Sequence, residues 1–152
     1  MKVITLQDPW ASLVMWGEKK IETRSWKTNY RGPLLIHASK NPKKINLDLA
    51  FREPFWSVLK PHFIENSDLY YPGCIIAKCN LVDCLKIVFR SYFDAHLENR
   101  QKVRGNEFHF GDYAPGRFAW ILEDIEPLEN PIPAKGQLGL WEFDLEGDLK
   151  HG

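Results

Sequence analysis

The sequence predicts a mixed α+β domain in which five or six strands form a small curled or closed sheet. Short apolar runs that suit strands recur along the chain, and Gly and Pro residues separate them. Two segments in the first half instead space their apolar residues as a helix does. The chain has no internal repeat and no low-complexity segment, which excludes a repeat architecture.

Length and composition predict one domain. The chain has 152 residues, of which 44% are hydrophobic and 26% are charged. Single cores usually serve chains of about 100–200 residues, and this apolar share is enough to offset the entropy lost on chain ordering. We therefore expect a single domain over residues 1–145, followed by a C-terminal tail at residues 146–152.

The first elements alternate between strand and helix. Residues 2–6 predict a short apolar strand, and residues 9–16 predict a helix with Asp8 as its N-cap. Two further strands are predicted, one at residues 19–25, where apolar and polar side chains alternate, and one at residues 33–38, after a turn at residues 29–32. The helix therefore delivers the chain directly into the strand at residues 19–25.

The middle of the chain predicts helices and then a long strand. Residues 42–63 have helical spacing, which is interrupted at Pro54 and ended at Pro61. Residues 73–88 predict a strand with partial alternation. Residues 91–111 predict a helix or a loop.

The last elements are two strands joined by a proline-rich segment. Residues 118–122 form an apolar run that predicts a strand. Pro127, Pro131 and Pro133 then predict a connection, because proline lacks the N–H group that a sheet requires. A final strand is predicted at residues 138–145.

Charge and hydropathy limit the partners of the chain. Lys plus Arg and Asp plus Glu number 20 each, so no global basic field would hold the protein on duplex nucleic acid. Basic residues concentrate before residue 45, which indicates either a local positive face or a solvated surface. The chain has no signal-peptide start and no apolar run of about 20 residues, so we expect a cytoplasmic protein without a membrane partner.

The cysteines give no reason to expect a metal or a cofactor. Cys74, Cys79 and Cys84 are spaced five residues apart, with no C-x-x-C pair and no histidine at zinc spacing. We interpret them as buried thiols in a strand. We expect a monomer with no cofactor and no metal site, and a catalytic triad, a phosphate loop and a dinucleotide fingerprint are all absent from the sequence.

The segment GEKKIETRSW concentrates the polar chemistry of the chain. Strand alternation places Lys20, Glu22 and Arg24 on one face, whereas Lys19 follows Gly17 and can lie in the turn before the alternation begins. One interpretation is an exposed strand with solvated ion pairs, each contributing ~0–1 kcal/mol. The other is a site in which a partly buried lysine transfers protons beside a carboxylate.

In the second interpretation each neighbour of Lys19 has a chemical use. Arg24 can bind an oxyanion or the edge of a nucleobase, and Thr23 can supply a hydroxyl nucleophile if a base stands beside it. Nearby tryptophans Trp10 and Trp26 offer flat faces, and stacking a base on such a face contributes ~1–3 kcal/mol. At the end of the next strand His37 and Ser39 fit core and edge positions, although a strand end that meets Lys40 can also form the rim of a site.

Polar residues before the strand at 118–122 form a second group. Glu107, Asp112 and Arg117 lie among Gly and Pro residues. Such residues either face a pocket or order a turn.

These motifs together resemble the ASCH domain, a member of the PUA-like superfamily. The resemblance runs through QDPWASLVMWGEKKIETRSW, YRGPLLIHASK, PGCIIAKCNLVDC, GRFAWILED and PIPAKGQLGLWEF. The family signature G-x-K-x-x-[E/T]-x-R corresponds to Gly17, Lys19, Glu22 and Arg24. The resemblance implies a small PUA-like β-barrel of five or six strands with helices closing one end, and a cleft beside the signature.

The resemblance also implies two functions. Some small bacterial members are metal-independent amidohydrolases that deacylate N4-acetylcytidine with a lysine, a threonine and a glutamate. The lysine corresponds to Lys19, but the threonine falls on Glu22, and the glutamate lies in a variable segment where Glu107 is the first candidate and Asp112 the second. Either Thr23 substitutes, or Glu22 and Lys19 activate water, or the chain binds without catalysis.

The sequence therefore supports two functional hypotheses. The first is an amidohydrolase acting on N4-acylated cytidine or cytosine, with Lys19, Glu22, Thr23 and Glu107 as catalytic residues. The alternative is a non-catalytic module that binds RNA or a modified nucleotide. The substrate-binding residues are Trp10, Arg24, Trp26, His37, Ser39 and Lys40, and the partner is a modified nucleoside, a nucleobase or RNA. In the binding module Arg31, Lys40 and Lys43 should matter as much as Lys19.

Overall fold

The computed structural model describes residues 1–65 and 70–145, so the predicted tail at residues 146–152 lies outside the described residues. These ranges contain eight strands, four α-helices and one 3-10 helix. In chain order the elements are β1 (Lys2–Leu6), α1 (Trp10–Met15), β2 (Ile21–Arg24), β3 (Gly32–Ala38), α2 (Lys44–Asp48), the 3-10 helix (Leu49–Phe51), α3 (Phe55–Glu65), β4 (Cys74–Arg90), β5 (Asp94–Leu97), β6 (Lys102–Arg104), α4 (Gly105–His109), β7 (Phe118–Pro133) and β8 (Leu140–Glu142).

The strands form one mixed sheet in the order β2-β7-β4-β3-β1-β8, with β5 beside β4 and β6 beside β5. β1 and β3 pair in parallel, and the other pairs are antiparallel. The predicted α+β class is confirmed. The prediction of five or six strands in a barrel is corrected, because the sheet has eight strands and its end strands β2 and β8 do not pair within the described residues.

The core lies between α1 and the central strands. All residues from Ala11 to Met15 of α1 are buried, and the helix packs on β1, β3, β4 and β7. The fully buried Trp120 of β7 fills the centre, and Trp26 packs edge-on against it at 4.8 Å between ring centroids. The segment that contains β2 is therefore anchored at both ends, by α1 before it and by Trp26 after it.

The proline positions explain two differences from the predicted elements. The predicted stop at Pro61 is wrong, because α3 continues to Glu65, held by the buried Phe55 and Leu59. The predicted connection at Pro127 to Pro133 is also wrong, because β7 extends through all three prolines. β2 pairs with β7 only as far as Ile121, so in the described structure the remainder of β7 has β4 on one side and no paired strand on the other. On that open side residues without an N–H group are tolerated.

Short strands account for the other differences. Residues 91–111 contain β5, β6 and α4 in place of the predicted helix or loop, because strands of three or four residues leave little periodicity. The three cysteines lie on β4 as predicted, and Cys79 and Cys84 are buried. Burial raises the pKa of the Cys79 thiol to about 12. No helix in the described ranges is long and apolar enough to cross a membrane.

Candidate functional site

A cleft of about 580 Å³ opens beside β2. Its floor is β2 and the two residues after it, and its walls come from the end of β1, the start of α1, the 3-10 helix and the segment after α4. The volume lies within the ~300–1,000 Å³ of small-molecule sites. The predicted residues Trp10, Glu22, Thr23, Arg24 and Trp26 all line this cleft.

The Glu22 carboxylate is held in place at the floor of the cleft. Its Oε1 lies 3.8 Å from Lys19 Nζ, its Oε2 lies 3.6 Å from Arg24 Nη2, and Oε1 also accepts a hydrogen bond from the Thr23 N–H at 3.0 Å. The side chain is only 13% exposed. Two cations therefore balance a carboxylate that faces the cleft in one orientation.

Lys19 lies behind the cleft and does not line it. The side chain is completely buried, and its amine donates to the Ile21 carbonyl as well as pairing with Glu22. Gly17 has a φ of 74°, which turns the chain out of α1. Lys19 lies before the first residue of β2, so the strand is shorter than the predicted residues 19–25 and Lys19 takes the turn position that the sequence left open. The alternative of a solvated surface strand is wrong, because Lys19 is buried and Glu22 nearly so.

Arg24 connects the cleft to β1. Its Nη2 donates to the Thr5 carbonyl at 2.8 Å and pairs with Glu22. Its Nε is buried and has no hydrogen-bond partner in the described part of the chain. An unpaired buried N–H group of this kind lowers the stability of the domain.

Thr23 ties β2 to the segment after α4. Its hydroxyl accepts a hydrogen bond from the Asp112 N–H at 3.0 Å, and its carbonyl accepts from Arg117 Nη2 at 3.3 Å. Arg117 Nε also donates to the Asp112 carbonyl at 3.0 Å. Asp112 and Arg117 line the cleft, which is one of the two roles that the sequence left open, and Asp112 Oδ1 also orders the turn by accepting from the Ala114 N–H at 3.2 Å. In the described structure the hydroxyl of Thr23 contacts a backbone amide and no side-chain base.

Glu107 supports β2 from behind. Its Oε2 accepts from the Lys20 N–H and its Oε1 from the Ile21 N–H, each at 2.9 Å. Glu107 does not line the cleft. The neighbouring Tyr113 is buried, and this burial raises its pKa, as do the charges of Glu107 and Glu22. The structure thus gives Glu107 a positioning contact where the sequence suggested a catalytic group.

Comparison with known proteins identifies the family. The family model described as the ASCH domain matches residues 4–132. The chain belongs to the ASCH domain family. The resemblance predicted from the sequence motifs is thereby confirmed.

Two curated relatives are similar over nearly the whole chain. Activating signal cointegrator 1 of Mus musculus is 27% identical over 143 residues, covering 93% of this chain and 22% of the relative. The protein of the same name from Homo sapiens is 26% identical over 142 residues, with the same coverage of 93% and 22%. This ASCH domain therefore spans about a fifth of the length of these relatives.

Two solved structures share the fold. ASCH from Zymomonas mobilis has a TM-score of 0.52 at 16% identity and covers 99% of this chain and 92% of its own. A tyrosine-to-phenylalanine mutant of that protein has a TM-score of 0.53 at 15% identity and covers 99% and 94%. At this level of identity the comparison shows the fold alone.

Aromatic rings form the apolar walls of the ASCH cleft. Trp10 and Trp26 line it as predicted, together with Phe55 and Phe110. Trp10 contacts Phe55 edge-on at 6.5 Å, and Phe55 contacts Phe110 at 4.9 Å between ring centroids. These contacts fix the rings, so the walls are preformed. Phe55 and Phe110 are distant in sequence from the signature, and no local pattern points to them.

Three residues predicted to bind substrate lie outside the ASCH cleft. His37 is buried, with Nδ1 3.1 Å from Thr5 Oγ1 and Nε2 2.8 Å from the Ala134 carbonyl oxygen. The backbone N–H of Ser39 donates to the Leu6 carbonyl, and Lys40 is exposed. None of the three lines the cleft, because the adjacent strand β1 separates β3 from it.

Proposed function

We propose that this ASCH domain binds a nucleobase, in RNA or in a modified nucleoside, and that the Glu22 carboxylate recognises the exocyclic amino group of the base. The observation that carries this proposal is the fixed carboxylate at the floor of a cleft of nucleoside size. Carboxylates accept hydrogen bonds from the N4 amino group of cytosine. Because Lys19 and Arg24 already balance its charge, Glu22 can accept this hydrogen bond without a further cation.

The rest of the cleft supports the same ligand. Trp10 and Trp26 present rings to the cleft, and such rings stack on bases of any sequence. The Arg24 side chain is 27% exposed and lines the cleft, so its guanidinium group offers donors near the carboxylate that complement the acceptor atoms on the same edge of cytosine. The neutral net charge favours a single base or a single strand over duplex nucleic acid, whose affinity depends mainly on neutralised phosphates.

A binding titration with Glu22→Gln tests this proposal. The amide keeps the size of the side chain but removes the charge, and hydrogen bonds to charged groups contribute ~1.5–3 kcal/mol. We expect the affinity for cytidine and for oligocytidine to fall about tenfold or more. Glu126→Gln, an exposed carboxylate on β7 outside the cleft, is the matched control. Equal cytidine affinity in both variants would disprove the proposal.

The position of Glu22 favours a second function, the amidohydrolase. The carboxylate stands where the family signature has threonine or glutamate, and it can act as a general base that removes a proton from water. The resulting hydroxide would attack the acyl carbonyl of N4-acylcytidine, Arg24 would stabilise the oxyanion, and the C–N bond would break as the amine takes up the proton. Lys19 would then position Glu22, because its amine lies outside the cleft.

Measuring acyl release from N4-acetylcytidine separates the two functions. Turnover by the wild-type chain that Glu22→Gln abolishes would support the hydrolase. If the chain binds N4-acetylcytidine but releases no acyl group above background, the non-catalytic binding function is supported instead. The name cointegrator of the curated relatives favours binding without turnover.

A further inference from the structure

A second concavity lies beside the hairpin of β4 and β5. Its volume is about 480 Å³, and Arg90, Ser91, Tyr92 and Phe108 line it. Tyr92 is 92% exposed, and the adjacent Phe93 is 81% exposed. Aromatic side chains clustered on the surface of a folded domain usually mark an interaction site.

Exposed basic side chains follow the ribbon of β4, β5 and β6, and Arg90 among them lines the concavity. Lys86, Arg90, Arg100, Lys102 and Arg104 are exposed on β4, β6 and the turn before β6. Within residues 1–65 and 70–145 no ion pair engages Arg90, Arg100 or Arg104. The chain as a whole is neutral, so this is a local patch that complements a phosphate backbone.

The acidic groups of the same ribbon are engaged in local contacts. Asp94 accepts a hydrogen bond from the Ser91 hydroxyl at 2.7 Å and lies 3.3 Å from His96 Nε2. Glu98 accepts from the Lys86 N–H at 2.9 Å. The guanidinium groups of the patch therefore remain available to an anionic partner.

Helix α4 connects the second concavity to the cleft. Phe108 lines the concavity, and the next residue, His109, lines the cleft. The rings of Phe108 and His109 are in contact, with centroids 5.5 Å apart. The aromatic surface is thus continuous from Tyr92 over α4 into the cleft, which is the arrangement that a single strand with stacked bases requires.

We infer that the concavity at Arg90, Tyr92 and Phe108 binds a nucleotide that flanks the base held in the cleft. The ligand is therefore a single-stranded oligonucleotide, and a free nucleoside fills only part of the site. A base stacks on Tyr92, and the Arg90 guanidinium contacts a phosphate. This inference rests on the proposed function of the cleft.

Fluorescence anisotropy with labelled oligocytidine, together with a cytidine titration, tests the inference. Tyr92→Ala is expected to lower the oligonucleotide affinity about tenfold and to leave the cytidine affinity unchanged. Phe63→Ala is the control, because Phe63 is an exposed ring on α3 that lines neither the concavity nor the cleft. Arg90→Ala should reduce the slope of log affinity against log salt by about 0.7, the value for one phosphate contact with a single strand.

The outcomes separate this inference from the proposed function. If Tyr92→Ala binds oligocytidine like the wild type while Glu22→Gln weakens it, the inference is overturned and the cleft assignment stands. If Tyr92→Ala weakens the oligonucleotide but Glu22→Gln changes neither ligand, the cleft assignment fails and the Tyr92 contact stands. If Tyr92→Ala abolishes binding to phosphatidylserine vesicles and leaves oligonucleotide affinity unchanged, the surface binds membranes and the inference is overturned.

Discussion

The ammonium group of Lys19 lies 3.8 Å from the carboxylate of Glu22, and the Lys19 side chain has no exposure to solvent. A buried charge is tolerated only when a partner of opposite charge and hydrogen-bond acceptors replace the lost water. Lys19 has both. Glu22 is the partner of opposite charge, and the Ile21 carbonyl accepts a hydrogen bond from the Lys19 amine. The pair therefore links the stability of the domain to the orientation of the carboxylate in the cleft.

Removing Lys19 is expected to cost more than the loss of one surface charge. Lys19→Met leaves Glu22 without its buried partner, so the free energy of unfolding should fall by roughly 3–5 kcal/mol. Urea unfolding measures this, and Lys20→Met, an exposed neighbour, should change stability by less than about 0.5 kcal/mol. Adding Glu22→Gln to Lys19→Met should recover part of the loss. If Lys19→Met and Lys20→Met had the same free energy of unfolding, the contribution of the buried Lys19–Glu22 pair to stability would be contradicted.

Glu107→Ala is expected to weaken both folding and ligand binding. The substitution leaves the N–H groups of Lys20 and Ile21 without their acceptor. The Lys20 contact is exposed, but the Ile21 contact is partly buried, so its loss should cost about 1 kcal/mol. It also frees the start of β2, so cytidine affinity should fall although Glu107 does not reach the cleft. Urea unfolding and a cytidine titration on the same samples check both effects.

A surface carboxylate provides the control for Glu107. Glu98 also accepts from a backbone N–H, that of Lys86 at 2.9 Å, but the contact is exposed and water can replace it. Glu98→Ala should therefore leave stability and cytidine affinity close to the wild-type values. A catalytic role for Glu107 would give a different pattern, with lost turnover and unchanged stability.

The elements that the sequence predicted well have local signals. Gly17 ends α1 and places Lys19 in the turn, so the signature residues Glu22 and Arg24 fall on one face of β2 as alternation requires. The signal for the start of β4 after Gly73 is also local, because a turn is followed directly by an apolar run there. Patterns of this kind depend on neighbours a few residues away.

The features that the sequence did not predict depend on distant contacts. Glu107 reaches Lys20 and Ile21 across 87 and 86 residues, and no spacing rule connects those positions. His37 is buried rather than at a rim, because Gly136 packs on its ring so closely that an added Cβ would lie 2.8 Å from His37 Cε1. Such contacts follow from the sheet order, which the sequence pattern left open.

Gly111→Ala is expected to distort the cleft through overpacking. A Cβ at this position would lie 2.6 Å from Tyr113 Cε2 and 3.3 Å from Thr23 Cγ2, and the buried Tyr113 ring has little room to move. Overpacking of this kind costs typically ~1–3 kcal/mol. Because Thr23 lines the cleft, cytidine affinity should also fall. Thermal unfolding and the cytidine titration measure the two effects.

Gly105→Ala separates crowding from backbone strain. Gly105 has a φ of 65°, and an added Cβ would meet no atom within 4 Å. Its substitution should cost about 1 kcal/mol through the left-handed backbone alone and leave cytidine affinity unchanged. If Gly111→Ala also kept full cytidine affinity, the contact between Gly111 and the floor of the cleft would be irrelevant to binding.

Asp8 makes the stability of the domain depend on pH. The side chain is fully buried, and its Oδ1 accepts hydrogen bonds from the Ser12 N–H at 3.0 Å and the Ser12 hydroxyl at 2.7 Å. Burial raises the pKa of Asp8 from 3.8 to about 6, and the Ser12 hydrogen bonds oppose this rise. Burial also raises the pKa of Tyr70 to about 12, with a smaller contribution from the Asp8 charge.

The direction of the pH effect follows from the order of the two pKa values. Between pH 3.8 and about 6 the folded state binds more protons than the unfolded state, so the contribution of Asp8 is fully present below 3.8 and is lost as the pH rises through about 6. At about 1.36 kcal/mol per pKa unit the loss amounts to roughly 3 kcal/mol. Asp8→Asn keeps an acceptor for Ser12 but does not titrate. Urea unfolding from pH 4 to pH 8 should therefore show the variant gaining stability relative to the wild type up to about pH 6, and a difference that stays constant with pH would contradict a raised pKa at Asp8.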